Sequence, residues 1–268
     1  MIKRPNKVKQ KLARNEHPVG AFAQMNNPEV VEVIGNAGYD YVWLDSEHGS
    51  FRYDSAIQMI RAAEATGLTP LLRVPNHEPT NIMHALDAGA MGVIVPQVTT
   101  AAQARAVVAA AKYQIGGQAF GNRGACPLIR TAGHQTPDWK EFAQWSNDNV
   151  TVWLLVETVE GIDNLDEILN VPGVDAIVLG AFDLSISMGY DGDRNHPAVI
   201  AKLDGLIDKV RAKNVDVVGM LYADDAAGML EMKKTYEMQG CRIFIAGTDR
   251  RILVNTFNAI YKTVSETK

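Results

Sequence analysis

Apolar residues along this chain fall into short, nearly continuous runs, and between the runs they recur at helical spacing. The runs cover 19–25, 39–44, 69–74, 92–95, 151–156, 176–179, 216–220 and 241–246. Each has the length of a strand and lacks the alternation of a sheet with one wet face, which is the pattern of parallel strands covered on both sides. The segments between them carry helix signals. Asn27-Pro28-Glu29 supplies a cap, a proline at the first helical position and an acidic first turn, and Gly38 stops that helix. Further helices are predicted over 54–66, 79–87, 99–111, 139–147, 164–170, 197–213, 224–236 and 249–265. Eight strand–helix repeats in 268 residues predict one α/β domain spanning 1–268, a (β/α)8 TIM barrel. A doubly wound open sheet needs fewer units and usually a glycine-rich turn after its first strand, where this chain has Gln24-Met25-Asn26-Asn27. Residues 1–17 predict a helical extension lying across one end of the barrel. Two connections break the rhythm, 115–136 and 180–195. Loops of that length are usually functional or disordered, and both are expected to shape the site.

Composition narrows the class. The 26 Lys and Arg against 31 Asp and Glu give a net charge of −5, with no surplus of cations to neutralise phosphates, so nucleic acid is not an expected partner. No apolar run approaches the roughly 18 residues of a membrane span, so no membrane association is expected. The basic cluster Lys3 to Arg14 is followed by no apolar core of a targeting peptide. Two cysteines, Cys126 and Cys241, match no metal or redox spacing, which points to a reducing cytoplasm.

In a barrel, the residues at the C-terminal ends of the strands converge on one site. The second strand delivers Asp45, Glu47 and His48, and the third ends in Arg73-Val74-Pro75. The fifth ends in Val156-Glu157-Thr158, and the sixth leads into Gly180-Ala181-Phe182-Asp183. Glu157 and Asp183, on adjacent strands, could share a hard divalent cation whose remaining positions go to water and substrate oxygens. The bland alternative is that each carboxylate caps the helix after it. Arg73 could pair with Asp45 or Glu47 for structure alone, or grip a substrate carboxylate with its planar fork. His48 can exchange protons near neutrality, with His77 its only rival. No predicted strand end carries a lysine, which disfavours Schiff-base chemistry. No G-x-S-x-G elbow supplies a hydrolase nucleophile.

Together these residues resemble the HpcH/HpaI aldolase family. The resemblance is carried by Leu44-Asp45-Ser46-Glu47-His48-Gly49, Arg73-Val74-Pro75, the stretch from Asp87-Ala88-Gly89 to Val95-Pro96, Glu157-Thr158-Val159-Glu160-Gly161, and Gly173-Val174-Asp175 through Asp183-Leu184-Ser185. It implies a metal-dependent class II pyruvate aldolase acting on 4-hydroxy-2-oxo acids or 2-keto-3-deoxy sugar acids. Its partners would be a small 2-oxo acid and an aldehyde, and its cofactor Mg²⁺, Mn²⁺ or Co²⁺. Residue by residue, it implies Glu157 and Asp183 as metal ligands, Arg73 as the pyruvate-binding arginine and His48 as the base with Asp45 beside it. Asp87 would pair with the histidine of a neighbouring subunit in a homohexamer. Ala181 and Phe182 would line the pyruvate site. Apart from the resemblance, the long glycine-rich 115–136 loop is expected to help cover the site, with Arg123 meeting the distal end of the substrate, and Glu47 is expected to contact metal-bound water. The family usually has Gln where this chain has Leu155, and Gly-Pro where it has Gly180-Ala181-Phe182. Related enolate chemistry with another acceptor, citrate-synthase-like or decarboxylating, therefore stays open, as does a non-catalytic 2-oxo-acid-binding barrel.

Overall fold

Eight parallel strands close on themselves in sequence order, β1 to β8. They are β1 (Val19–Ala23), β2 (Tyr41–Asp45), β3 (Thr69–Arg73), β4 (Gly92–Val95), β5 (Thr151–Val156), β6 (Ala176–Leu179), β7 (Asp216–Leu221) and β8 (Ile243–Thr248). The computed structural model describes residues 3–50, 52–117 and 121–265. The expected (β/α)8 barrel is the observed fold. Closure needs both faces of every strand to be dry, and this explains why the runs read as continuously apolar.

Position parity sorts the strand residues into two layers. Phe22, Tyr41, Trp43, Leu71, Ile94, Trp153, Leu155, Val178, Val218 and Ile245 pack together inside the barrel. Val42, Leu44, Leu72, Val93, Val95, Leu154 and Val156 face outward, where the helices cover them. Parity therefore sends Asp45, Arg73 and, one residue past β5, Glu157 inward at the C-terminal rim. The β2–β3 register sets Asp45 directly beside Arg73.

The N-terminal extension forms the helix Lys7–Ala13, capped by Asn6, and it closes the opposite end. Val8, 1% exposed, joins the interior cluster, a burial worth about 1.5–3 kcal/mol. The Asn6 amide donates to the carbonyls of Met91 and Asn149. Lys11 pairs with Asp40 at 2.8 Å.

Several boundaries differ from the sequence reading. Segment 180–195 is not all loop, because the helix Ala181–Ser187 starts directly after β6, closed by a Leu184 N–H to Gly180 carbonyl bond. The predicted 197–213 helix breaks at Gly205, which takes φ +69° between Pro197–Leu203 and Leu206–Arg211. The 164–170 helix is preceded by a separate turn, Val159–Asp163. The described residues of 115–136 are irregular apart from the 3₁₀ turn Arg130–Ala132, and they lie against the helix ring. Arg130 reaches Glu64 and the Ala88 carbonyl, and Arg123 reaches Asp87. Gln118, Ala119 and Phe120 of this segment lie outside the described residues. The segment follows a helix rather than a strand, and helix-to-strand connections belong to the end of a barrel away from the site. No helix among the described residues is long and apolar enough to cross a membrane.

Candidate active site

The inward residues of β2, β3 and β5 build the rim. Asp45 is fully buried and takes a bidentate grip from Arg73, with Nε to Oδ1 at 2.7 Å and Nη2 to Oδ2 at 2.8 Å. Its carboxylate also accepts from Gln24 Nε2 at 2.8 Å and from the backbone N–H groups of Glu47 and His48. Burial works to raise the Asp45 pKa, but the Arg73 bonds and charge, helped by Gln24 and the His48 N–H, hold it below the usual carboxylate value. Arg73 lies over the Phe22 and Trp43 rings at 5.3 and 5.7 Å, an aromatic floor that fixes the guanidinium from below. Beyond Asp45 the chain folds back tightly. A Cβ on Gly49 would sit 1.8 Å from the Asp45 carbonyl oxygen, so only glycine fits this turn.

Three further carboxylates converge. Glu47 Oε2 lies 2.9 Å from Arg73 Nη1, yet it is buried and makes no aligned hydrogen bond. Burial pushes the Glu47 pKa up; Arg73 opposes the rise, while Asp45 and Asp183 add to it. Glu157, 5% exposed, accepts one backbone bond, from Gln97 N–H at 2.9 Å. Burial pushes its pKa up to about 7, with the charges of Asp183 and Glu47 adding to the rise. Asp183 is exposed in the first turn of Ala181–Ser187. A Cβ on Gly180 would meet Glu157 Oε2 at 2.8 Å, so the absence of a side chain there makes room for the carboxylate.

This set fits a hard dication. Burial and the neighbouring carboxylates work against the charged forms of Glu47 and Glu157, one buried oxygen lacks a bonded partner, and Arg73 is engaged by Asp45. Among the described residues no three His, Cys, Asp or Glu side chains are grouped closely enough to hold an ion between them.

Three expectations need correction. The Arg73 fork is not open to a substrate carboxylate, because Asp45 occupies Nε and Nη2 and Glu47 Oε2 lies 2.9 Å from Nη1. Asp45 does not orient the His48 ring: it accepts only the His48 backbone N–H, and the 65% exposed imidazole has Nε2 3.9 Å from Glu47 Oε2. Asp45 is thus a positioning residue. Arg123 does not reach the mouth, since its side chain is 1% exposed, bonded to Asp87 at 2.6 Å and to Ser146, and stacked on Tyr113. Asp87 is accordingly engaged within its own chain. Ala181 is half-buried and Phe182 exposed, both at the rim.

Two groups escaped the sequence reading. Gln24 continues the inward parity of Phe22, a signal that was available. Gln97 contributes only its backbone N–H, at a positive φ of 54°, which no side-chain motif announces.

The sequence pattern defining the HpcH/HpaI aldolase/citrate lyase family matches residues 19–254. The chain belongs to this family. It is a family of aldolases and citrate lyases, and curated relatives of this chain are aldolases. A 2-dehydro-3,6-dideoxy-6-sulfogluconate aldolase of Pseudomonas putida is 33% identical over 250 residues, 93% of either chain. A 5-keto-4-deoxy-D-glucarate aldolase of Shigella sonnei is 32% identical over 256 residues, 94% of this chain and 97% of the relative. Among solved structures, the citrate synthase SbnG superposes with a TM-score of 0.85 at 28% identity, over 97% of both chains.

Proposed function

We propose that the protein is a divalent-metal-dependent aldolase that cleaves or forms the bond between pyruvate C3 and an aldehyde carbon, on 4-hydroxy-2-oxo acids of the sugar-acid type. The observation that carries this reading is the placement of Glu157 and Asp183 just after the adjacent strands β5 and β6, on the rim where Glu47 lies 2.9 Å from Arg73 and 3.9 Å from His48. Both aldolase relatives act on deoxy-oxo sugar acids, which supports the substrate class.

Glu157 and Asp183 would hold Mg²⁺, Mn²⁺ or Co²⁺, and such an ion would supply Lewis-acid stabilisation to the pyruvate enolate when bound. The residues of the chain do the rest. In cleavage, His48 Nε2 takes the C4 hydroxyl proton, the C3–C4 bond breaks, and its electron pair passes into the enolate of pyruvate. Arg73, whose Nη1 faces Glu47 at the rim, adds positive charge near the developing oxyanion. The aldehyde leaves, and the proton held on His48 passes to C3, directly or through solvent, which gives pyruvate and restores the base. Gly180, Ala181 and Phe182 line the approach, and Glu47 bridges His48 and Arg73.

The C-terminal helix Asp249–Ser265 supports a homo-oligomer. It leaves Phe257 66% and Tyr261 75% exposed, among other apolar side chains, and only Asp249 is buried. Six copies and support of His48 by Asp87 of a neighbouring subunit belong to the same reading, as does a reducing cytoplasm for the free Cys126 and Cys241.

The test is pyruvate release from a 4-hydroxy-2-oxo sugar acid in Mn²⁺ and in chelator. Release that needs the metal is the expected result. Release that survives chelation, or pyruvate trapped on the protein by borohydride, would overturn the metal mechanism. The likeness to a citrate synthase favours a second reading in which the enolate meets another acceptor; a condensation screen with 2-oxo acids in place of aldehydes separates the two.

A further inference from the structure

One cation at the barrel mouth is not used by the site described above. Arg194 lies in the turn after Ala181–Ser187, half-buried, with its guanidinium 4.9 Å over the Tyr222 ring. It forms no ion pair or side-chain hydrogen bond among the described residues. The other arginine of the site, Arg73, is consumed by Asp45 and Glu47.

The turn that carries Arg194 is built rather than loose. Tyr190 stacks on His196 with ring centroids 3.7 Å apart. The Asp193 N–H donates to the Tyr190 carbonyl and the Arg194 N–H to the Gly192 carbonyl. Gly192, at φ +87°, packs so closely on Phe182 that a Cβ would meet the ring at 2.8 Å. Phe182 immediately precedes Asp183, so the Arg194 turn is seated directly on the segment that carries a proposed metal ligand. Tyr222 follows β7 with the inward parity of Val218 and Met220, and its phenol is within electrostatic reach of Arg73 and Asp183 as well as Arg194.

We infer that Arg194, presented on the Tyr222 ring, is the subsite for an anionic group at the distal end of the aldehyde half of the substrate, so that the enzyme selects oxo acids with a second carboxylate or sulfonate. This rests on the aldolase reading and deepens it by naming the substrate class. An unpaired guanidinium held on an aromatic face suits an oxyanion with two acceptor oxygens, because its donors are already oriented and lose little freedom on binding.

The experiment is aldol addition of pyruvate, with Mn²⁺, to a matched pair of aldehydes: 2-hydroxy-3-oxopropanoate, which ends in a carboxylate, and D-glyceraldehyde, which ends in a neutral hydroxymethyl. The reading is the ratio of their kcat/KM values. Wild type is expected to favour the anionic aldehyde. Arg194→Gln should lower the ratio by roughly 10–100-fold, the contribution of one charge-assisted hydrogen bond, with the loss in KM for the anionic aldehyde. Arg194→Lys should keep part of the preference, and Tyr222→Phe most of it, because the ring platform remains. A wild type without preference, or a ratio unmoved in a folded Arg194→Gln variant, overturns the subsite while the aldolase reading stands. Absence of turnover with both aldehydes overturns the aldolase reading, and the subsite with it.

Discussion

The two ends of the barrel treat their acids in opposite ways. At the N-terminal edge, Asp40 accepts from Lys11 and the Val19 N–H. Asp175 accepts from the Val152 N–H, and Asp216 takes a bidentate bond from Arg242 at 2.8 and 2.9 Å plus a further one from Arg211. Each acid has its own donors. At the C-terminal edge Asp45 takes most of Arg73, leaving Glu47, Glu157 and Asp183 to share what remains. Burial and mutual repulsion raise the proton affinity of Glu47 and Glu157. The closed end is arranged for stability, and the open end keeps an excess of negative charge that a bound cation can relieve.

The largest test of this contrast is Glu157→Gln. Loss of the proposed ligand should cut kcat/KM by roughly 10²–10⁴ and abolish Mn²⁺ binding by calorimetry, while the metal-free melting temperature holds or rises because a buried repulsive charge is gone. A clear fall in that temperature would place Glu157 with the structural acids and break the comparison. His48→Ala should lower kcat by roughly 10²–10⁴ with metal affinity kept; an unchanged rate would move the proton-transfer role to His77 or solvent.

Lys112 sharpens the contrast from the closed end, where it is the exception. Burial pushes its pKa down to about 8, and Nζ donates to the carbonyls of Asn147 and Val150 with no carboxylate bonded to it. Between about pH 8 and the ordinary lysine value of 10.5 the unfolded chain holds the proton that the folded chain has lost, so stability must rise with pH in that window. The unfolding free energy of wild type relative to Lys112→Met should therefore climb by about 3 kcal/mol from pH 8 to 10.5 and stay flat below pH 8. A flat difference throughout would mean that the amine is solvated.

Asp216→Asn, which loosens a partly exposed pair, should cost about 1–3 kcal/mol in denaturant melts with activity within about twofold. A large loss of activity at normal stability would contradict its purely structural role. The smallest effect is expected for Gln24→Leu. Removing one bond to Asp45 should lower kcat/KM several-fold, about 1 kcal/mol, through a looser Arg73; no change would show that Arg73 fixes Asp45 alone.

The fold was legible because closure leaves its mark on every strand: eight apolar runs of strand length, each followed by helical sequence, admit few other architectures. The chain order of Asp45, Glu47, His48, Arg73, Glu157 and Asp183 was legible for the same reason, since position after a strand implies the rim. Pairing was not. Nothing in the order of residues says that Asp45 takes the Arg73 fork and so removes it from a substrate carboxylate, because that follows from the β2–β3 register and the inward parity of both. Arg123 looked like a substrate contact when read from its glycine-rich surroundings. Only the packing of the described residues of 115–136 against the helix ring buries it beside Asp87. Arg194 sat unremarked between acids and a proline, and only the contact of Gly192 with Phe182 brings its turn to the rim. Hydrophobic periodicity is a local property that the sequence writes out in full, whereas the partner of a charge is chosen by segments tens of residues away, once closure has brought them together.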